Sequence, residues 1–300
     1  MELTSPQVDL SIEPGTSVRQ IAQEATASGV QVTPSLLYWW FRLSGKSRQI
    51  KAGSYEVEAG TSPRGLLSML VRGEEAVRSV TLVEGWSFRQ VREALRKADQ
   101  LKPLTQDLTA QDIMQQLGRQ TAAEGRFFPD TYTYSKGSTD LHVLQRAARA
   151  MDKKLATAWA QLPAQSPLQT PEQALILASI IEKETGRGSD RPLISAVFSN
   201  RLRIGMRLQT DPSVIYGLGD KFNGNLRKVD LQTDTPWNTY TRAGLPPTPI
   251  AMPGKAALLA AVQPATSKAL YFVAKGDGTS VFSSTLDDHN RAVNKYQRGQ

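Results

Sequence analysis

TPEQALILASIIEKETGRG, residues Thr170–Gly188, carries its own helix start and stop signals. Thr170 can N-cap, Pro171 takes the first helical position, and Gln173 three residues after the cap completes a capping-box pattern. Gly186 and Gly188 are natural places to stop. The helix between them is about four turns long and bears two carboxylates near its end, Glu182 and Glu184. At roughly 100° per residue the two point about 160° apart. Glu184 follows Ile180 by one turn and Leu177 by two, and so continues an apolar stripe. Glu182 falls in line with Leu175, Ala178 and Ser179, a more mixed face. A carboxyl that ends an apolar stripe at a helix C-terminus is desolvated and meets the negative end of the dipole, and both effects raise its pKa. That suits a general acid at neutral pH. From spacing alone the position fits a surface or salt-bridged glutamate at a helix end better still.

Three hundred residues supply one large or two modest domains with ample core. Apolar content of 40% and charged content of 21% are those of an ordinary globular chain. The balance of 36 Lys+Arg against 28 Asp+Glu gives +8, which favours acidic partners such as nucleic acid, anionic lipid or cell-wall polymer. No Lys/Arg run exceeds two residues and no nucleic-acid-binding signature appears, which argues against nucleic acid. The absence of cysteine excludes disulfides, thiol catalysis and Cys-based metal sites. With only His142 and His289, far apart, no metal site is expected. No stretch approaches the roughly 18 apolar residues of a membrane span, and no signal peptide opens the chain.

The pattern G-x-S-x-R occurs at Gly15–Arg19, Gly60–Arg64 and Gly85–Arg89. Each copy follows a strand-like run (Val8–Ile12, Ser54–Val57, Ser79–Val83) and precedes an apolar helix (Ile21–Ala25, Leu66–Val71, Val91–Leu95). The glycine turns, the serine caps, Gln20 and Gln90 complete capping boxes, and Pro63 opens the middle helix. Three unevenly spaced copies do not make a solenoid. They make a small α+β module in residues 1–79, with the third copy opening the next domain. Pro34–Leu43 (PSLLYWWFRL) concentrates four aromatics, as either a helix buried in a small core or a sugar-stacking or membrane-facing surface.

Residues 97–123 read as a polar, modestly helical connection. EGRFFPDTYTY, Glu124–Tyr134, reads as a loop pinned by Phe127 and Phe128. A helix around Leu141–Leu162 leads to the central helix. After Gly188, Ser189 or Asp190 can cap a second helix that runs past Pro192 to Arg203 and stops at Gly205. Asn200 shares a face with Leu193, Val197 and Ile204, so its amide needs a partner in the protein or a ligand. Asp211-Pro212 starts a short helix through Tyr216, halted at Gly217. Gln209, Thr210, Asp211 and Ser213 crowd its entrance with donors and acceptors suited to sugar hydroxyls or N-acetyl groups, although N-capping alone accounts for Asp211. Trp237–Tyr240 with Gly244–Pro247 makes a stiff loop mixing aromatics and amides, as carbohydrate grooves do. Leu270–Ala274 and Ser280–Ser283 form a hairpin, and a helix through Asp287–Tyr296 closes the domain, with His289 a structural residue.

ASIIEKETG, SAVFSNRLRIGMRLQTDPSVIYGLG, NTYTRAGLPPTPIAMPG and ALYFVA closely resemble the endolytic murein transglycosylases of the MltG/YceG-like family. The resemblance runs from about Val80 to the C-terminus and includes the EGRFFPDTY segment, which it places beside the catalytic cleft. It implies an α+β chain: a LysM-like subdomain over residues 1–79, then a mixed α/β catalytic domain over 80–300 around a helix at about 171–185. It implies endolytic cleavage of the MurNAc–GlcNAc β-1,4 bond in nascent peptidoglycan, leaving 1,6-anhydroMurNAc ends, with Glu184, the second glutamate of EKET, as sole acid and then base. Asn200, Gln209, Thr210, Asp211, Ser213, Tyr216, Asn238 and Tyr240 are the candidate glycan contacts. No cofactor or metal is expected. The implied partners are glycan strands and cell-wall synthases. The implied setting is the outer side of the bacterial inner membrane, on an N-terminal anchor absent from this chain, with Met1-Glu2-Leu3 an artificial start. Two rivals stand beside this reading. One is a muramidase-type hydrolase using Asp211 or Asp234 as a second carboxylate. The other is a non-catalytic peptidoglycan-binding scaffold.

Overall fold

A computed structural model describes residues 1–185 and 187–298. The architecture is α+β, with helices and three separate two-stranded sheets. The chain forms two compact units. The first comprises Met1–Val80, Arg96–Leu104 and Tyr132–Asp140, and the second Thr81–Leu95, Thr105–Thr131 and the chain from Leu141 onward.

In the first unit β1 (Gln7–Ile12) is followed by α1 (Val18–Ala27), α2 (Pro34–Leu43), β2 (Gly53–Glu58), α3 (Pro63–Arg72) and β3 (Val77–Thr81). The alternation in QVDLSI buries Val8, Leu10 and Ile12 on one face. Antiparallel pairing sets Val8 opposite Val57 and Leu10 opposite Tyr55, and these side chains share a core with Ile21, Phe41, Leu66 and Leu70. The G-x-S-x-R echo is physical. Gly15, Gly60 and Gly85 have φ of 86°, 87° and 77°, which an L side chain adopts at a cost. Ser17 and Gln20 form a capping box, Ser62 caps Gly65 N–H, and Ser87 and Gln90 bond reciprocally.

Pro34–Leu43 is buried along one face and exposed along the other. Leu37 and Phe41 are fully buried, whereas Trp39 and Trp40 face solvent. The segment 97–123 ends α4 (Phe88–Lys97) and contains α5 (Ala110–Gln116). Glu124–Tyr134 is a loop only as far as Asp130; Thr131–Ser135 is β4, paired with β3. Tyr132 and Tyr134 alternate inward there, so the aromatics of TYTYS are a period-two strand signal.

The second unit continues with α6 (Asp140–Trp159), α7 (Pro171–Glu184), α8 (Arg191–Arg203), α9 (Asp211–Leu218), α10 (Lys228–Gln232), α11 (Lys255–Val262), the hairpin β5 (Tyr271–Ala274) and β6 (Ser280–Ser283), and α12 (Leu286–Gln297). Every residue of α7 from Ala174 to Ile181 is buried, in a core shared with Phe198 of α8 and Leu258 of α11. The helix is therefore enclosed all round rather than striped, and its wheel does not separate Glu184 from Glu182.

Three boundary readings change. Thr170 caps Gln173 N–H, but the Gln173 side chain accepts from Gln169 N–H, one residue before the box position. Asp190 precedes α8 without capping it, because its carboxylate accepts from Ser280 N–H. Gly217 is helical; α9 stops at Gly219, whose φ of 53° with ψ of −126° is a glycine conformation. Gly186, one of the expected stops, lies outside the described residues, and α7 is closed by the extended Thr185.

Candidate active site

Glu184 is the last residue of α7, where unsatisfied carbonyls give the helix its negative end. Its Oε1 accepts a hydrogen bond from Thr210 Oγ1. Burial raises its pKa to about 7; the Thr210 bond works the other way, Asp211 adds to the rise by like charge, and Arg201 offsets it. The carboxyl is thus poised near neutrality. Glu182, two residues earlier, is buried as well but engaged otherwise. One oxygen lies 3.2 Å from Arg191 Nη2, and the other accepts from Gly254 N–H at 2.8 Å. What separates the two glutamates is the partner, a cation for Glu182 and a neutral hydroxyl for Glu184.

Thr210 is held in turn. Its N–H donates to Thr239 Oγ1 at 3.0 Å, and Gln209 N–H donates to Thr239 O at 3.1 Å. Gln209 has a positive φ of 49°, an uncommon conformation for a non-glycine residue, which the Thr239 bond helps to hold immediately before the Glu184 partner. Ser213 is fully buried and bonds to Thr210 O and Thr239 Oγ1 at 2.8 and 2.9 Å. The exposed Asp211 accepts from Tyr240 O–H, whose pKa burial drives well above the usual range for tyrosine.

The eight candidate contacts therefore divide. Gln209, Thr210, Asp211 and Tyr240 gather with Glu184. Ser213 lies beneath them with its hydroxyl engaged by protein. Asn200 spends its amide on the carbonyls of Ser267 and Ala269, both at 2.9 Å, and its oxygen on Arg203. Asn238, with no exposure, donates to the carbonyls of Asp230, Leu231 and Thr233 and accepts from Tyr240 N–H. Both amides are structural, and neither offers a free group to a ligand. Tyr216 belongs to a separate network.

That network is centred on Glu124, which the sequence reading passed over. Burial raises its pKa to about 7, although it accepts from Phe88 N–H and bonds Tyr216. Tyr216 is also bonded to Thr248, which accepts from Trp237 Nε1 at 3.0 Å. Tyr216 and Trp237 meet edge to face with centroids 5.5 Å apart. Two adjoining cavities of about 760 and 680 Å³ share Arg89, Glu124, Tyr216 and Trp237 in their walls, and the second reaches Lys183 and Pro212, the neighbours of Glu184 and Asp211. Its place at the head of EGRFFPDTY was the available signal.

Arg201 was also missed. Burial lowers its pKa, it donates to the carbonyls of Leu270 and Leu208 at 2.7 and 2.8 Å, and its guanidinium lies 5.3 Å from the Tyr271 ring centre. Tyr271 stacks on His289, which keeps the latter a structural residue. Asp234 is bound bidentately by Arg242 and accepts from Thr241, which holds its pKa down to about 2. Among the described residues no cluster of His, Asp or Glu suits a metal ion, and no helix is long and apolar enough to cross a membrane.

The comparisons with known proteins agree with one another. A Bacillus subtilis protein named endolytic murein transglycosylase is 30% identical over 308 residues, spanning 96% of this chain and 84% of that protein. A Streptococcus pneumoniae protein of the same name is 26% identical, and the match covers 95% of this chain but 58% of the longer relative. A crystal structure of a yceG-like protein from Listeria monocytogenes superposes with a TM-score of 0.60 at 27% identity, over 95% of this chain and 98% of that one. The family model described as YceG-like matches residues 10–295, and the chain belongs to the YceG-like family.

Proposed function

We propose that the chain is an endolytic lytic transglycosylase acting on the glycan strands of peptidoglycan, with Glu184 as its single acid and base. The observation that carries the reading is a buried carboxyl with a pKa of about 7 whose partner is the Thr210 hydroxyl rather than a cation. An acid of that pKa is half protonated at neutral pH and can act in both directions.

The protonated carboxyl first gives its proton to the bridging oxygen between MurNAc and GlcNAc, and the C1–O bond breaks with departure of the GlcNAc hydroxyl. The carboxylate so formed takes the proton of the MurNAc C6 hydroxyl, whose oxygen bonds to C1. The product is a 1,6-anhydroMurNAc end; Glu184 is protonated again and no water is consumed. In this reading Gln209, Asp211 and Tyr240 orient the sugar. The names of the curated relatives support the substrate class. We assign residues 1–79 as a LysM-like subdomain, supported by the strand–helix–helix–strand order that β1 and β2 close. Residues 80–300 we assign as the catalytic domain, two segments of which, Arg96–Leu104 and Tyr132–Asp140, belong to the first compact unit. The place of action is outside the cytoplasmic membrane, where glycan strands and the synthases that make them are found.

A two-carboxylate hydrolase is less well supported. Asp234 is fixed on Arg242 with its pKa near 2, and Asp211 acts on Glu184 as a neighbouring charge that favours its protonation. Mass spectrometry of purified peptidoglycan digested by the chain and by Glu184→Gln tests the proposal. Anhydro ends are expected from the chain, and at least about a thousandfold fewer from the variant. Reducing ends heavier by one water, or full activity in a folded Glu184→Gln, would sink it.

A further inference from the structure

Four of the ten strongly exposed large apolar side chains among the described residues lie on one ten-residue helix. Leu36, Trp39, Trp40 and Leu43 of α2 are 63, 56, 45 and 80% exposed, whereas the other six are scattered along the chain. The spacing i, i+3, i+4, i+7 puts them in a single row about 10 Å long, outward from the side that buries Leu37 and Phe41. A row of this kind costs solubility, and a contiguous exposed apolar patch marks an interaction surface.

The charges around the row identify that surface. Arg42 lies on the helix, and Lys46 and Arg48 follow within five residues of its end, all exposed. Arg19 adds a cation from α1 by stacking over Tyr38, with its guanidinium 5.3 Å from the ring centre. No Asp or Glu occurs between Glu24, which is half-buried, and Glu56. Two indoles flanked by aliphatic side chains and edged by cations are the features of a helix that lies at a headgroup–acyl boundary. Leu36 and Leu43 at the ends of the row offer a sugar no ring to stack on. A second copy would set Arg42, Lys46 and Arg48 of each chain against the same charges of the other.

We propose that this face of α2 seats on an anionic phospholipid bilayer, with Trp39 and Trp40 entering the interface and Arg42, Lys46 and Arg48 meeting lipid phosphates. The binding is peripheral and independent of Glu184.

The test is co-sedimentation of the whole chain with phosphatidylcholine vesicles, with and without phosphatidylglycerol, beside Trp39→Ser/Trp40→Ser and Arg42→Glu/Lys46→Glu double variants. Both pairs are exposed, so the variants should fold, as circular dichroism and unchanged peptidoglycan cleavage would verify. The expected result is binding to the anionic vesicles that weakens with salt, at least about tenfold weaker for each double variant, and a blue-shifted tryptophan emission on binding. Absence of sedimentation, or equal sedimentation of wild type and both variants, overturns the proposal. So does a Trp39/Trp40-dependent dimer in light scattering without vesicle binding, which would make the row a self-interface. Loss of binding to insoluble peptidoglycan with vesicle binding unchanged would overturn it too, in favour of a sugar platform.

Discussion

Thr210 donates to the carboxyl that acts as acid, and this bond favours the ionised form against the burial that disfavours it. Thr210→Val keeps the shape and the backbone bond to Thr239 but removes the donor. The pKa of Glu184 should then rise above about 7, and the alkaline limb of the rate profile should move to higher pH. The maximal rate should fall roughly tenfold, because the acid loses its orientation. Asp211→Asn removes the like charge that raises the same pKa, so its limb should move to lower pH. Release of anhydro ends measured from pH 5 to 9 for both variants checks the pair. If the two limbs move the same way, or neither moves, Glu184 is not the group being titrated.

At the scale of elements, the loop bearing Thr239 and Tyr240 is fastened by Asn238 to the end of α10 through three carbonyls. Asn238→Ala leaves those acceptors buried without a donor and should cost about 2–4 kcal/mol. Chemical denaturation would reveal it, and a loss below about 1 kcal/mol would mean that water replaces the amide. Gly219→Ala meets no neighbouring atom, so its cost, about 1–2 kcal/mol, would be backbone strain alone. Such positions mark where the chain was legible. Ser17, Ser62 and Ser87 act within three residues of themselves, so these three caps and the glycine turns before them are written locally and were read correctly. Gly217 and Gly219 are equally good stops on paper, and only the packing of α9 chooses between them. The wheel of α7 pointed at Glu184, yet burial on every side removed its physical basis. The surviving distinction, Thr210 against Arg191, depends on residues far along the chain or beyond the helix end. Glu124 is the extreme case: the EGRFFPDTY segment marks its position, but only the fold brings Tyr216 and Phe88 N–H onto its carboxyl.

For the whole molecule, Glu124 and Glu184 are the carboxyls whose large upward shifts weigh most in the dependence of stability on pH, and burial raises the Glu84 carboxyl as well. Glu124 and Glu184 each have a folded pKa near 7 against 4.5 for the unperturbed group. Between these values the native state holds protons that the unfolded chain has released, so stability falls as pH rises through the interval. A rise of this size corresponds to at most about 3 kcal/mol for each group, fully present below pH 4.5 and lost above 7. Asp112, Asp234, Asp277 and Asp288 work in the opposite sense, because hydrogen bonds lower their pKa values. Their contribution is present above the ordinary carboxyl range and lost in acid, and their exposure keeps it small. The two sets leave a stability maximum on the acid side of neutrality, about pH 4.5 to 6. Thermal unfolding should therefore show a lower Tm at pH 8.5 than at pH 5.5. Glu124→Gln and Glu184→Gln should each flatten that fall, since an amide has no proton to lose, and the double variant should flatten it most. A Tm that rises from pH 5.5 to 8.5 in the wild type would show that both carboxyls are ionised throughout, and would remove the basis for Glu184 as a general acid.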